Sequence, residues 1–442
     1  MLRFMGRFFI LTAILLLPAL RLLGGEEWSL ERCINYALEN NVEIMQQQLV
    51  LEQNKNNILQ SKLSILPNVN GSLNHSMNWG KSVNVQDLQI MTTLAQSTSA
   101  SLSASMPIFG GLTNINSIKS AGIEFKISEQ QIESLKNNIT IQITRAYLQL
   151  LLAMEIEKVA DESFKSTGAQ VERTRNMVEA GSQAYSSLLE VESQLANERV
   201  QLVSAQNDVK SNYLNLMQIL NMPYDTLFRV VPYEPDDTYI FRLLPGTVDD
   251  IFEEALDLPQ IKAAEYSLEK SKVDYKIQKG AAYPSISLSA GYGTYYSDSR
   301  EGAFFSQFED NRNPSLGFGM SIPIFNGWRG NTSIRNAKLN VRNAELELVK
   351  SHQNLYKEIQ QAYNDAINAH AKLEASKKNM EMAAESFKNI ENKFNLQMAN
   401  GTDYTVARAN LFKARSEYYQ NKFQYIFQLK ILDFYRGIPI KL

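Results

Sequence analysis

The chain has 442 residues, of which 44% are hydrophobic and 21% are charged, and its formal net charge is −3. This composition excludes a disordered chain, and the mean hydropathy of −0.27 is too polar for a bundle of lipid-spanning helices. The lack of a basic excess argues against a nucleic-acid partner. One cysteine, Cys33, and three scattered histidines cannot supply a disulfide framework or a zinc cluster. We therefore expect no metal and no cofactor.

The segment 1–25 has the pattern of a secretory signal peptide. Arg3 and Arg7 precede an apolar run from Phe8 to Leu17, which is shorter than the ~20 residues that a membrane-spanning helix needs. We expect residues 1–25 to be removed on export, and a signal anchor that is never cut is the alternative. Cys33 lacks the small preceding residue of a lipoprotein cysteine, so we place it in a helix.

Paired prolines indicate that the rest of the chain uses one unit twice. The segment Ser105–Gly111 recurs as Ser321–Gly327, and the interval between these two copies is the same as that from Pro223 to Pro439. A repeat of this length is not a short solenoid motif and indicates an old duplication. We predict a first repeat at 26–223, a linker at 224–246 and a second repeat at 247–442.

Each repeat contains two runs in which apolar side chains alternate with small polar ones. This alternation predicts β-strands at 67–79, 97–108, 284–296 and 314–324. About ten residues is the length of a tilted strand that crosses a bilayer, and a small polar face suits a wall around water. Four strands of a soluble sandwich would alternate in the same way. If the strands cross a membrane, the residues expected to face lipid are Leu73, Leu102, Leu288 and Phe318.

Long helices are predicted on both sides of each strand pair, because these segments are rich in Glu, Gln, Lys, Ala and Leu and poor in proline. A seven-residue spacing of apolar residues from Leu188 to Leu216, repeated from Tyr404 to Leu432, predicts a coiled-coil seam. A helix over 112–180 would be about 100 Å long and would have to project from any compact domain. The helices are expected within 28–66, 112–180, 186–221, 247–282, 328–396 and 403–436.

Strands that cross a membrane would need partners from other copies of the chain. Known single-chain barrels begin at about eight strands, and an open sheet would leave unpaired backbone groups in lipid. Two copies would supply eight strands. Three copies would supply twelve strands and twelve long helices, enough for a hollow cylinder.

Several motifs in this layout resemble those of the TolC-like outer membrane efflux proteins, including their Bacteroidetes-like members. They are the junction Pro-Ile-Phe-x-Gly that begins at Pro107 and Pro323, the first-helix motif Ala37–Asn41, the turn segments Gly181–Leu195 and Asp403–Leu411, and the ending Ile431–Gly437. The resemblance covers essentially the whole chain after the signal segment.

The resemblance implies a mixed α and β membrane protein. It would be a homotrimer in which a twelve-stranded outer-membrane β-barrel, with four strands per chain, continues into a twelve-helix periplasmic α-barrel. Such proteins are exit ducts of tripartite efflux or type I secretion systems. The implied partners are outer-membrane lipid, a periplasmic adaptor (membrane fusion) protein and an inner-membrane transporter. The loops 80–96 and 296–313 would then face the exterior of the cell.

The resemblance further implies an aperture at the helix turns that acidic side chains narrow. Asp403 matches one acidic position, whereas Val406 stands where some relatives have a second acid; a helix-capping role for Asp403 is compatible with this. The first turn has Gly181, but its counterpart at the repeat offset is Gln397, with Gly401 nearby instead. The candidates for the periplasmic aperture are Asp403, its first-repeat counterpart Ser187, Gly181 and Gly401. The candidate barrel junctions are Pro107, Gly111, Pro323 and Gly327.

Three other functions fit the sequence less well. An enzyme needs converging catalytic groups, but His75, His352 and His370 are scattered, and no phosphate loop or metal-ligand spacing occurs. A general porin does not contain helices of about 100 Å. A trimeric coiled-coil adhesin would lack the duplication and would return no helices to the periplasm. We therefore expect a channel rather than an enzyme.

Overall fold

A computed structural model describes residues 27–83, 90–223, 225, 227–233 and 246–441. The predicted signal peptide, most of the predicted linker and residues 84–89 of the first predicted loop lie outside the described residues. The chain divides into two compact units. Of the described residues, those within Met1–Gln46, Glu133–Leu258 and Gln353–Leu442 form the helical unit, and those within Gln47–Ile132 and Pro259–His352 form the sheet unit.

The described residues form nine helices and six strands. The helices are α1 (Leu30–Asn40), α2 (Val42–Leu63), α3 (Thr113–Glu179), α4 (Tyr185–Ile219), α5 (Val248–Ala255), α6 (Pro259–Gly280), α7 (Phe304–Asp310), α8 (Arg329–Asn395) and α9 (Gly401–Tyr435). The strands are β1 (Glu27–Trp28), β2 (Asn68–Val83), β3 (Ile90–Gly110), β4 (Arg229–Val230), β5 (Ser285–Ser297) and β6 (Asn313–Ser321).

Four strands of the sheet unit form one antiparallel sheet in the order β2-β3-β5-β6. Leu102 lies opposite Tyr292, and Leu288 lies opposite Phe318, so the apolar residues of neighbouring strands share one face. Leu73, Leu102 and Phe318 are exposed on this face in a single copy of the chain, and Leu288 is half-buried. Tyr292 and Tyr296 also lie on this apolar face. The other face of β5 carries Tyr295 together with serine and glycine residues.

The strand bounds differ from the sequence prediction at several ends. Pairing of β2 with β3 continues to Val83 and Ile90, because backbone hydrogen bonds persist after the apolar alternation stops. In contrast, β6 ends at Ser321, and Pro323 beyond it has no N–H group to donate. The loop predicted at 296–313 contains the helix α7.

A β-bulge interrupts β3 near its end. The register shifts between Pro107 and Phe109, so that Phe109 rather than Ile108 lies opposite Ile286. Pro107 is next to the bulge and beyond the last β2–β3 pair, a position where a strand tolerates proline.

The helices of the sheet unit pack through a small apolar cluster and adjoining polar contacts. Ile123 and Ile127 of α3 cluster with Val273 of α6, and Tyr266 packs against them. Beside this cluster, Ser120 Oγ of α3 donates a hydrogen bond to an Asp274 carboxylate oxygen of α6 at 2.6 Å. The contact fixes the start of α3 against α6.

In the helical unit the core lies between the long helices. None of the ten residues on the predicted seven-residue spacing is exposed; Leu216, Tyr404, Tyr425 and Leu432 are fully buried. The predicted helical segment 28–66 contains two helices, because Asn41 ends α1 and its side-chain oxygen accepts from the Glu43 and Ile44 backbone N–H groups at the start of α2.

The long helices have matching geometry. Helices α3 and α8 are both 67 residues long, α4 and α9 are both 35, and corresponding ends are separated by the same interval as Pro107 and Pro323. Their bounds lie within two residues of those expected from the sequence. Residues with positive φ recur at the same offset, as Gly111 and Gly327 show at 61° and 64°. Among the helices in the described part of the chain, none combines the length and apolar character of a membrane span.

Candidate functional site

The candidate aperture residues lie at two helix reversals of the helical unit, α3 to α4 and α8 to α9. Gly181 follows α3 with a φ of 71°, and Gln397 follows α8 with a φ of 62°. At each reversal the residue after the positive-φ position, Ser182 or Met398, donates its N–H group to the carbonyl oxygen five residues earlier, as in a glycine-terminated helix. Gln397 therefore occupies the turn position of Gly181, and Gly401 does not.

Gly401 is instead the first residue of α9, where it allows a close approach to α4. A Cβ atom added at Gly401 would lie 2.1 Å from Glu190 Oε2 and 3.0 Å from Glu190 Cβ. A side chain at this position would displace Glu190. The glycine therefore allows Glu190 to lie close to the start of α9, and it does not supply a positive φ.

Asp403 belongs to a capping box at the start of α9. The Asp403 backbone N–H donates to Asn400 Oδ1 at 2.7 Å, and the Asn400 N–H donates to Asp403 Oδ2 at 3.4 Å. The first reversal lacks this arrangement, because Ala184 stands at the N-cap of α4 and makes no side-chain hydrogen bond, and Ser187 is the third residue of α4 as Asp403 is of α9. The two reversals thus differ in helix capping and in the charge at this position.

We expect Asn400→Ala and Asp403→Ala each to lower the free energy of unfolding by about 1 kcal/mol, because either change removes the capping box. Ala184→Asn combined with Ser187→Asp should raise it by about the same amount. Thermal unfolding of the detergent-extracted protein, followed by the circular dichroism of its helices, measures both effects. If Asp403 also lines an aperture, only Asp403→Ala changes ion selectivity in planar bilayers, since Asn400→Ala retains the charge. Equal selectivity in both variants would remove Asp403 from the aperture.

An aromatic cluster lies behind the reversals. Tyr404 and Phe394 are fully buried, and their rings are 5.1 Å apart; Phe387 packs 5.5 Å from Tyr404. Burial raises the pKa of Tyr404 to about 12, so its hydroxyl is neutral at physiological pH. Leu188 of α4, which lies in the same position relative to the helix start as Tyr404 does in α9, belongs to the same cluster.

A buried ion pair joins α4 to α9 next to this cluster. Arg408 Nε lies 3.4 Å from Glu198 Oε1, and the Arg408 guanidinium also donates to the Ser163 carbonyl oxygen of α3 at 2.8 Å. The same guanidinium lies 5.0 Å from the centroid of the Phe387 ring on α8. Arg408 therefore contacts all three other long helices of the unit.

The carboxylate of this pair is almost completely enclosed. Glu198 is 1% exposed and Arg408 is 7% exposed. One Glu198 oxygen accepts from Gln194 at 3.0 Å, whereas Oε2 is buried without a hydrogen-bond partner. The sequence prediction missed this pair. The available signal was a glutamate on the apolar spacing Val191, Glu198, Ala205, where an unpaired charge would be costly.

The candidate junction residues lie in the sheet unit, where strands pass into helices. Two consecutive residues with positive φ separate β3 from α3, Gly111 and Leu112, and the same geometry at Gly327 and Trp328 precedes α8. Gly111 is tightly packed, since an added Cβ atom would lie 2.0 Å from the Gly280 carbonyl oxygen. The structure thus places the aperture candidates in one unit and the junction and apolar-face candidates in the other.

Within the described residues, no three His, Cys, Asp or Glu side chains come together as a metal site. Cys33 is buried in α1, and burial raises the pKa of its thiol to about 12. The thiol is therefore protonated and unreactive at neutral pH.

The fold is that of known outer-membrane channels. A crystal structure of CusC superposes with a TM-score of 0.80 at 17% identity, over 94% of this chain and 95% of that one. The outer membrane protein VceC of Vibrio cholerae superposes with a TM-score of 0.73 at 15% identity, over 92% of this chain and 96% of that one. At these identities the similarity establishes the fold.

The sequence establishes the family. The profile described as "Outer membrane efflux protein" matches residues 33–222 and 253–435, and the chain therefore belongs to the outer membrane efflux protein family and is located in the outer membrane. It is 22% identical to the outer membrane efflux protein BepC of Brucella suis over 68% of this chain, and 20% identical to the outer membrane protein TolC of Vibrio cholerae over 71%. The alignments span 62% and 69% of those two proteins.

Proposed function

We propose that three copies of the chain form an outer-membrane exit duct that receives its substrates from an inner-membrane pump through a periplasmic adaptor. The duct has no catalytic role of its own. The observation that carries this proposal is a four-stranded sheet with two open edges, β2 and β6, whose strands continue into 67-residue helices. Its relatives include CusC, named as a cation efflux system protein, and AprF, named as an alkaline protease secretion protein.

The open edges favour closure by other copies. β2 and β6 run in opposite directions within the sheet, so β6 of one copy can pair with β2 of the next in the antiparallel sense used by the other strands. In lipid this pairing is needed to satisfy the edge backbone groups. The interior of an eight-stranded barrel is filled by side chains, whereas a larger barrel encloses water. Three copies therefore suit a duct better than two.

The internal repeat predicts the register between copies. The strands β3 and β6 are related by the interval from Pro107 to Pro323. The strands β2 and β5 are related by the slightly longer interval from Pro67 to Pro284. Applied to the pairing of Leu102 with Tyr292, these offsets place Phe318 of one copy opposite His75 of the next. In this register, residues on the apolar face of β6 lie opposite residues on the apolar face of β2 of the next copy. A shift by one residue would place Phe318 opposite a polar-face residue.

The same offsets predict a helix contact between copies. Ile123 of α3 and Tyr266 of α6 share an apolar cluster within one chain. Their counterparts, Leu339 of α8 and Leu49 of α2, are 66% and 62% exposed in a single copy. We propose that these two leucines meet in the assembled protein, where α8 of one copy packs on α2 of the next. The contact of α8 with α2 between copies would then match the contact of α3 with α6 within one chain.

Cysteine pairs across the proposed strand interface test the assembly. The offsets place Ser315 opposite Asn78 of the next copy, so Ser315→Cys with Asn78→Cys should yield disulfide-linked ladders that end at three chains on denaturing gels. The link cannot form within one chain, because two strands separate β2 from β6 by about 14 Å. Ser315→Cys with Met77→Cys is the matched control, since Met77 lies on the other face. A ladder that ends at two chains, or links formed equally by the control, would contradict the proposed trimer.

Transport is tested separately from assembly. The purified protein should produce discrete conductance steps in planar bilayers, because the barrel and the helical tube would form a continuous aqueous path. Preparations that contain linked trimers but give no conductance would show that the assembly is not an open duct.

A further inference from the structure

The helix α7, between β5 and β6, has a distinct aromatic side. Phe304 stacks on Phe308 with ring centroids 4.7 Å apart, and Phe305 meets the edge of Phe304 at 5.4 Å. Phe305 is 82% exposed. Ser306, Glu309 and Asp310 occupy the rest of the helix surface, so this one short helix is amphipathic.

The helix is fixed to β5 where the β6 pairing has ended. The Gln307 side chain is buried; its amide nitrogen lies 3.0–3.1 Å from the carbonyl oxygens of Ser297, Arg300 and Gly302. Its amide oxygen accepts from the Ser297 N–H at 3.0 Å, so the side chain replaces a missing strand partner. Asn311 adds a hydrogen bond to the Tyr295 carbonyl at 2.8 Å.

The aromatic side lies on the apolar face of the sheet. Thr294 and Tyr296 belong to that face, since they lie opposite Ala100 and Thr98 of β3. Thr294 Oγ1 donates to the Phe308 carbonyl at 2.6 Å, and the Tyr296 ring is 4.9 Å from Phe304. In contrast, Arg300 lies 4.9 Å from the ring of Tyr295, on the polar face. The loop therefore places its phenylalanines and its arginine on opposite faces.

The position of α7 along β5 matches the edge of a membrane. Residues Ile286 to Tyr296 span the apolar face of β5 and extend about 33 Å along the strand. At a tilt of about 40° this corresponds to about 25 Å, the height of the apolar band of outer-membrane barrels. The aromatic side of α7 therefore lies at the depth of the boundary between acyl chains and headgroups, where aromatic residues are favoured.

We propose that α7 is an interfacial anchor that inserts Phe304 and Phe305 into the headgroup boundary of the outer leaflet. The inference rests on the proposed function, because it requires the apolar face to meet lipid. The occupant is a lipid surface rather than a protein, since the aromatic side continues the apolar face of the sheet and the rest of α7 carries Glu309 and Asp310.

Depth-dependent fluorescence quenching tests the anchor. Phe305→Cys, Glu301→Cys and Leu102→Cys are labelled with an environment-sensitive fluorophore and reconstituted into phosphatidylcholine vesicles; native Cys33 is buried and stays unlabelled. The label at 305 should lose most fluorescence to a nitroxide at the headgroup or upper acyl chain. The label at 301 should respond to aqueous iodide, and the label at 102 to a nitroxide deep in the acyl chain.

The two possible failures are distinguishable. If position 305 responds to iodide as position 301 does, while 102 still reports deep lipid, the anchor is disproved and the duct is unaffected. If position 102 also responds to iodide, the proposed orientation of the sheet in the membrane is wrong.

Discussion

Replacing Arg408 with alanine is expected to lower the free energy of unfolding by about 3–5 kcal/mol, because it leaves a buried carboxylate without its cation. Glu198 is 1% exposed, and its second oxygen already lacks a hydrogen-bond partner. The change also removes the hydrogen bond to the Ser163 carbonyl and the contact with Phe387. Denaturant unfolding in detergent, followed by helical circular dichroism, measures the loss.

Two controls separate burial from charge pairing. Arg415 forms a 2.9 Å ion pair with Glu162 across α9 and α3, but this pair is partly exposed, so Arg415→Ala should cost less than about 1 kcal/mol. Arg408→Met combined with Glu198→Leu should restore most of the lost stability, because no charge stays buried. If the double variant is as unstable as Arg408→Ala, the loss comes from packing rather than from an unpaired carboxylate.

Gly111→Ala is expected to lower the free energy of unfolding by about 2–5 kcal/mol. A left-handed backbone disfavours alanine by about 1–2 kcal/mol, and steric overlap in a packed region adds about 1–3 kcal/mol. The overlap arises because the new Cβ atom would lie 2.0 Å from the Gly280 carbonyl oxygen, a backbone atom that cannot rotate away. The end of α6 would have to move away from the start of α3.

Gly181→Ala provides the matched control, since Gly181 has a similar φ of 71° but no atom within 4 Å of an added Cβ. We expect it to cost only about 1–2 kcal/mol. The same unfolding assay, together with the amount of protein in outer-membrane fractions, compares the variants. Equal effects at the two glycines would show that the contact between Gly111 and Gly280 tolerates a methyl group.

These two sites have different structural roles. The Arg408 pair joins four long helices in the helical unit, where both charged side chains are buried. Gly111 lies at the point in the sheet unit where a strand becomes a helix.

The sequence predicted which segments contain the turns of the candidate site, but it did not predict which residues contact each other there. The turn after α3 could be identified from Gly181, because glycine favours the backbone conformation required there. The repeat offset pairs Gln397 with Gly181, but the residue type favoured Gly401 as the second turn residue, and only the structure shows that Gln397 adopts the turn conformation with a φ of 62°. Gly401 was recognisable as a small residue near the turn, but its purpose depends on Glu190 of another helix.

The long helices, the four strands of the main sheet and the alternation of their faces could be predicted from the sequence, because these depend on periodicities that neighbouring residues display. The helix α7 could not, since it lies in a segment without such a periodicity. Contacts between distant residues became known only from the folded structure, such as Arg408 with Glu198 and Gly111 with Gly280. Such contacts depend on the spatial approach of segments that are far apart along the chain. No local pattern specifies their distances, and packing fixes them only when the whole chain has folded.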